Sequence, residues 1–250
     1  MSRWFGWLRG AAPPQVDDHE WSALLASSAL FDDLGADERP RLRALAERFL
    51  ARKHFSAAAG HVLTDAQRLA IAALSCLPVL HRGFDWLNGW SQVIVYPGAF
   101  RAARTHHDED TGVVTEFEDD LIGEAWEQGP LILSWADVAA DLAQPFDGFN
   151  VVVHEIAHKL DLLDGMMDGT PRLPKHLRMR TWVEAMQPAY DALVREVDRG
   201  HDTLIDPYAA ESVEEYFAVV SELHFSDPAT LRRAAPAVAT VLAQLYGPEP

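Results

Sequence analysis

One cysteine in 250 residues leaves no partner for an internal disulfide, so nothing in this chain calls for an oxidising compartment. Cys76 lies in the apolar stretch 71–77 and reads as core filler. Basic residues are also scarce: 21 Lys and Arg stand against 38 Asp and Glu, a formal net charge of -17. Such a surface repels phosphate backbones and anionic lipid, which excludes a direct nucleic-acid role. Long apolar runs are missing as well, so no segment is expected to span a bilayer. The N-terminal patch of Trp4, Phe5, Trp7 and Leu8 is interrupted by Arg9 before it reaches the length of a signal-peptide core. Together these absences predict a soluble, cytoplasmic protein without a membrane partner.

The chain has enough apolar material to fold. Hydrophobic residues make up 48% and charged residues 24%, sufficient for one large domain with a buried core. Within it, residues 154–158 read His154-Glu155-Ile156-Ala157-His158, preceded by three valines. Histidines four apart on a helix share a face one turn apart, so both imidazoles can reach one metal ion. Glu155 is swung to a neighbouring angle, from which its carboxylate can touch a metal-bound water rather than the metal. This is the working core of a zinc hydrolase. The apolar flanks place the motif in a packed segment, where two imidazoles and a carboxylate are costly unless a cation compensates them.

Around the motif, apolar residues recur at helical spacing over 37–54, and Thr64 with Gln67 forms a capping-box signature for a helix running towards Leu80. Residues 83–89 turn the chain. Strands are predicted at 92–96, 113–117 and 130–135. A helix carrying Trp182, Met186, Leu193 and Val197 follows the turn-rich loop 164–169, and another covers 236–246. The expected fold class is α+β, mainly helical, with a small mixed sheet beside the HExxH helix. The expected organisation is a single domain over 1–250, with an N-terminal helical subregion at 1–90 and a catalytic subregion at 91–250. His106 and His107, in the polar segment 105–110, fit either a second metal site or flap, or a solvated loop.

A catalytic zinc takes three protein ligands and keeps a position open for water. The third ligand is sought in 206–222, where acidic residues enter an otherwise apolar helix. Glu211, Glu215 and Glu222 share one face at i, i+4 and i+11, and spacing alone does not separate them. Ser212 with Glu215 also matches a capping box, so that carboxylate has a structural alternative. Asp161 could orient a ligand imidazole or lie in water at the helix end, and Glu222 could support the site or sit on the helix surface.

The segments 154–161, 208–210 and 215–222, with 45–50, 76–80 and 95–97, resemble the Mlc titration factor A family of bacterial zinc peptidases. The likeness spans most of the chain. It implies a zincin-like, gluzincin-type metallopeptidase fold related to the catalytic domain of anthrax lethal factor. It further implies one catalytic Zn2+ held by His154, His158 and Glu215, with Glu155 as general base and Tyr208 as a catalytic tyrosine. Aminopeptidase-like cleavage of short peptides is the implied activity, on a peptide or protein substrate. The alternative that the family brings is regulatory: sequestering a transcriptional repressor such as Mlc, with peptidase activity secondary or latent. A purely structural zinc site is disfavoured by Glu155, for which such a site has no use.

Overall fold

A computed structural model describes residues 15–98 and 129–247. The N-terminal aromatic patch, the His106–His107 segment and the predicted strand at 113–117 lie outside the described residues.

Helix α1 (Asp18–Leu25) leads into α2 (Glu38–Arg52), which ends just before strand β1 (His54–Ala57). The expected helix over 37–54 thus stops short, because Lys53 takes extended backbone angles and its ammonium is drawn inward. Its Nζ donates to the carbonyls of Leu87 and Trp90 at 2.5 and 2.6 Å and lies 3.5 Å over the Trp90 ring. Burial pulls its pKa down to about 7. Helix α3 (Asp65–Cys76) begins at the predicted capping box: Gln67 N donates to Thr64 Oγ1, and the Gln67 side chain accepts from Thr64 N. Pro78 falls in the turn after the helix rather than inside it.

Strands β2 (Gln92–Tyr96) and β3 (Leu131–Ser134) complete a sheet of order β1-β2-β3. Both described pairings are parallel. β1, which precedes residue 90, pairs with β2, which follows it. In register, Val93 faces Leu131 and Val95 faces Leu133. All four are buried, while Ile132 between them is 40% exposed, the period-two alternation of a sheet with one face on the core.

Ser134 ends β3 and caps α4 (Trp135–Ala143) by accepting from Asp137 N. Five further helices follow: α5 (Val151–Asp161), α6 (Met179–Asp198), α7 (Val213–Ser226), α8 (Pro228–Ala234) and α9 (Pro236–Tyr246). α5 carries the two motif histidines and packs along α7, which carries Glu215 and Glu222; this and the α2–α3 pair are the most extensive element contacts. α5 also touches β3 and α3, so the motif helix is fixed from three sides. One contiguous cluster of buried apolar side chains runs from Val16 to Tyr246. Among the described residues, no helix is long and apolar enough to cross a membrane.

Candidate metal centre

The motif helix owes its start to Asn150. Its side chain accepts from Val153 N at 3.0 Å, occupying an amide that the helix leaves without a partner. The next free amide, Val151 N, donates to Asp141 Oδ2 at 2.7 Å. Burial pushes the Asp141 pKa up to about 6. Val152, Val153, Ile156, Ala157 and Leu160 are fully buried, so the helix cannot rotate without exposing them. This fixes the direction of both histidines.

His154 and His158 stand on one face with ring centroids 4.8 Å apart and their Nε2 atoms 3.2 Å apart. Glu215 meets them there: its Oε2 lies 3.1 Å from His154 Nε2 and 3.4 Å from His158 Nε2. The donors of these three residues form the one His/Cys/Asp/Glu group among the described residues that could hold a metal ion. Three ligand atoms held tetrahedrally, about 2.0–2.1 Å from one zinc ion, stand roughly 3.3 Å apart. The observed separations match that triangle. The two histidine rings are buried to about nine-tenths, and the Glu215 side chain is only 13% exposed.

The electrostatics are those of a cation site. Burial pulls the His154 pKa down, but hydrogen bonds to Glu215 and Glu222 outweigh it and raise it to about 10. For Glu215, burial opposes ionisation, and the hydrogen bonds to His154 and His158 overcome it, holding the carboxyl well below its ordinary range. A proton on His154 here occupies the electrostatic place that a metal ion would take.

Glu222 sits behind the first histidine. Its Oε1 accepts from His154 Nδ1 at 2.7 Å, which turns Nε2 towards the other two donors. Its Oε2 accepts from Asn150 N at 2.7 Å. Of the two roles left open for Glu222, the structure places it in support of the site. Glu211 lies before α7, is exposed and is not part of that group. The predicted capping box at Ser212 is half formed: the serine hydroxyl accepts from Glu215 N at 3.3 Å, while the Glu215 carboxylate turns to the histidines.

Asp161 makes no hydrogen bond to either motif histidine and does not lie in water, though its charge acts on His158. It is fully buried, and its Oδ2 accepts from Gly169 N at 2.8 Å, tying down the loop after the motif helix. Burial raises its pKa to about 6. Glu155 is partly exposed and has no hydrogen-bond or ion-pair partner among the described residues. Tyr208 lies on a short 3-10 turn, Pro207–Ala210, capped by Asp206, whose Oδ1 accepts from Tyr208 N at 2.9 Å. That turn sets the Tyr208 ring 6.3 Å from the His154 ring, centroid to centroid.

Residues 7–247 match the family described as glucose-regulated metallo-peptidase M90. The chain belongs to this family. It is similar to the Mlc titration factor A of Escherichia fergusonii, 36% identical over 242 residues that cover 95% of this chain and 89% of the relative. The Mlc titration factor A of Salmonella schwarzengrund is 37% identical over 242 residues, covering 94% and 88%. The family is one of metallo-peptidases, and the His154, His158 and Glu215 cluster is a group that could hold a metal ion. Sequence reasoning passed over Asn150 and Asp141, which anchor the motif helix. An Asn directly before an apolar helical run was a usable signal for the first. Nothing local marks Asp141, ten residues upstream.

Proposed function

We propose that this protein is a zinc-dependent peptidase acting as an aminopeptidase on short peptides, with His154, His158 and Glu215 as metal ligands. The observation that carries this reading is the convergence of two imidazole Nε2 atoms and one carboxylate oxygen at 3.1–3.4 Å. Zinc bound there supplies Lewis acidity, acidifying water and polarising the scissile carbonyl. Glu155 accepts the proton of the attacking water and returns it to the leaving amine. Its role needs a carboxylate beside the ligands and uncommitted, and Glu155 lies next to His154 without a hydrogen-bond partner among the described residues. The Tyr208 hydroxyl donates to the carbonyl oxygen as negative charge develops. Glu222 keeps the His154 ring in one tautomer and one orientation throughout.

The test compares wild type with Glu155→Gln for zinc content and for turnover of chromogenic peptides with a free amino end. About one zinc in each protein and cleavage by wild type alone is the expected result. Equal turnover by both removes Glu155 as the base.

A second reading is regulatory: binding of a cytoplasmic repressor protein such as Mlc. It is favoured by identity with the Mlc titration factor A proteins along nearly the whole chain. Zinc loading without cleavage of any peptide, together with capture of purified Mlc, would favour it over peptidase action.

A further inference from the structure

A cavity of about 450 Å3 lies against the metal centre, and neither the histidines nor Glu215 line it. Two of its described lining residues adjoin the centre: Tyr208 and Glu222, which respectively flank His154 and accept from its Nδ1. Its lining includes the loop that enters the motif helix and the loop that enters the Tyr208 turn. From the first come Asp147 and Phe149, and from the second Leu204 and Asp206. Leu223 and Asp227, at the end of α7, also line it.

The lining has two chemistries. Phe149 and Leu204 are 53% and 56% exposed, an apolar mouth that water covers in the free protein. Asp147, Asp206 and Asp227 add carboxylates, and among the described residues no lysine or arginine lines the cavity. Each of these aspartates spends one oxygen on a backbone amide: Asp147 on Phe149 N, Asp206 on Tyr208 N and Asp227 on Thr230 N. Those bonds hold the negative charges in fixed places without cancelling them. Arg233 acts on Asp227 from outside the lining; Asp147 and Asp206 form no ion pair among the described residues.

A long apolar stem ending in a cation answers both chemistries. Lysine and arginine lay their methylenes on apolar surface and keep the head group among acceptors. The volume falls within the range of small-ligand sites and admits such a side chain with part of its backbone. We propose that this cavity is a specificity pocket for a lysine or arginine side chain of a peptide held at the metal centre. The proposal rests on the peptidase reading above, because Tyr208 is the side chain common to the cavity and the reacting carbonyl.

The experiment uses zinc-loaded Glu155→Gln protein and tripeptides in which lysine, arginine, norleucine or glutamate replaces alanine at each position in turn, with affinity measured by calorimetry. At one position lysine and arginine are expected to bind about tenfold more tightly than norleucine, with glutamate weakest. Asp147→Asn and Asp227→Asn should each reduce that ratio to about threefold. Both asparagines retain an acceptor for the Phe149 and Thr230 amides, and thermal melts check that the variants fold. Equal binding of lysine and norleucine at every position overturns the pocket, as does a preference that survives the two substitutions together. Wild-type turnover of trialanine is followed in parallel. If wild type neither binds nor cleaves any of these peptides, the peptidase reading fails and takes this inference with it, whereas cleavage without cation preference strikes the pocket alone.

Discussion

Glu222 Oε1 lies 2.7 Å from His154 Nδ1, and the other oxygen of the same carboxylate caps Asn150 N, the residue that starts the motif helix. One side chain on α7 therefore sets both the tautomer of a candidate ligand and the position of the helix that bears it. Glu222→Gln keeps the side-chain shape but weakens the acceptor. Zinc affinity should fall about 10- to 100-fold, as is typical when a partner of a ligating histidine is lost. Competition against a chromophoric chelator measures this directly, and unchanged affinity would leave Glu222 with only its role as a cap.

Tyr208→Phe separates the hydroxyl from the ring. The phenyl group keeps its place beside His154, so zinc content and KM should stay near wild type while kcat drops roughly 100-fold, the usual loss of one oxyanion donor. A rise in KM with kcat preserved would mean that the hydroxyl binds ground-state peptide instead.

How far the site was legible in the sequence depended on how rigidly local geometry constrains each residue. The His154–His158 pair was legible because a helix fixes the relation of i and i+4. Glu215 was not separable from Glu211 and Glu222 by spacing, since all three fall on one face. What separates them is tertiary: Glu211 precedes α7 and is exposed, Glu215 meets the two Nε2 atoms, and Glu222 reaches Nδ1. β1 escaped notice because its four residues, HFSA, include two polar ones, and none of its residues is fully buried. The helix Trp135–Ala143 was readable in principle from its Ser134 cap and the Val138–Leu142 spacing, but the apolar run of β3 flows into Trp135 and hides the change of period. Residue identity gave no sign that Lys53 would turn inwards onto two carbonyls.

The raised pKa of His154 has a thermodynamic consequence. In the metal-free protein its proton stabilises the fold fully below the ordinary value of 6.5, and this contribution is lost as pH rises through about 10. A metal ion needs the neutral ring, so zinc must displace that proton at neutral pH. Calorimetry in buffers of different ionisation enthalpy should show release of about one proton at roughly pH 7, with affinity rising about tenfold per pH unit between about pH 6 and 8. Binding without proton release would show that His154 is already neutral in the metal-free protein.

Gly169 links the loop after the motif helix to the helix that carries Glu215. Its φ of +72° suits glycine, its amide is held by Asp161, and a Cβ there would meet Val213 O at 2.5 Å. Val213 is the first residue of α7, two before Glu215. Because the obstructing atom is backbone, it cannot swing aside as a side-chain tip would. Gly169→Ala must therefore either strain the loop or push the start of α7 outward, and the left-handed angle adds its own cost. The expected loss of stability is at least about 2 kcal/mol, seen as a lower Tm. A displaced α7 start also moves Glu215 off the triangle it forms with His154 and His158, so zinc affinity should fall along with stability. A variant that melts earlier yet binds zinc as tightly as wild type would show that the loop absorbs the strain and that α7 keeps its place.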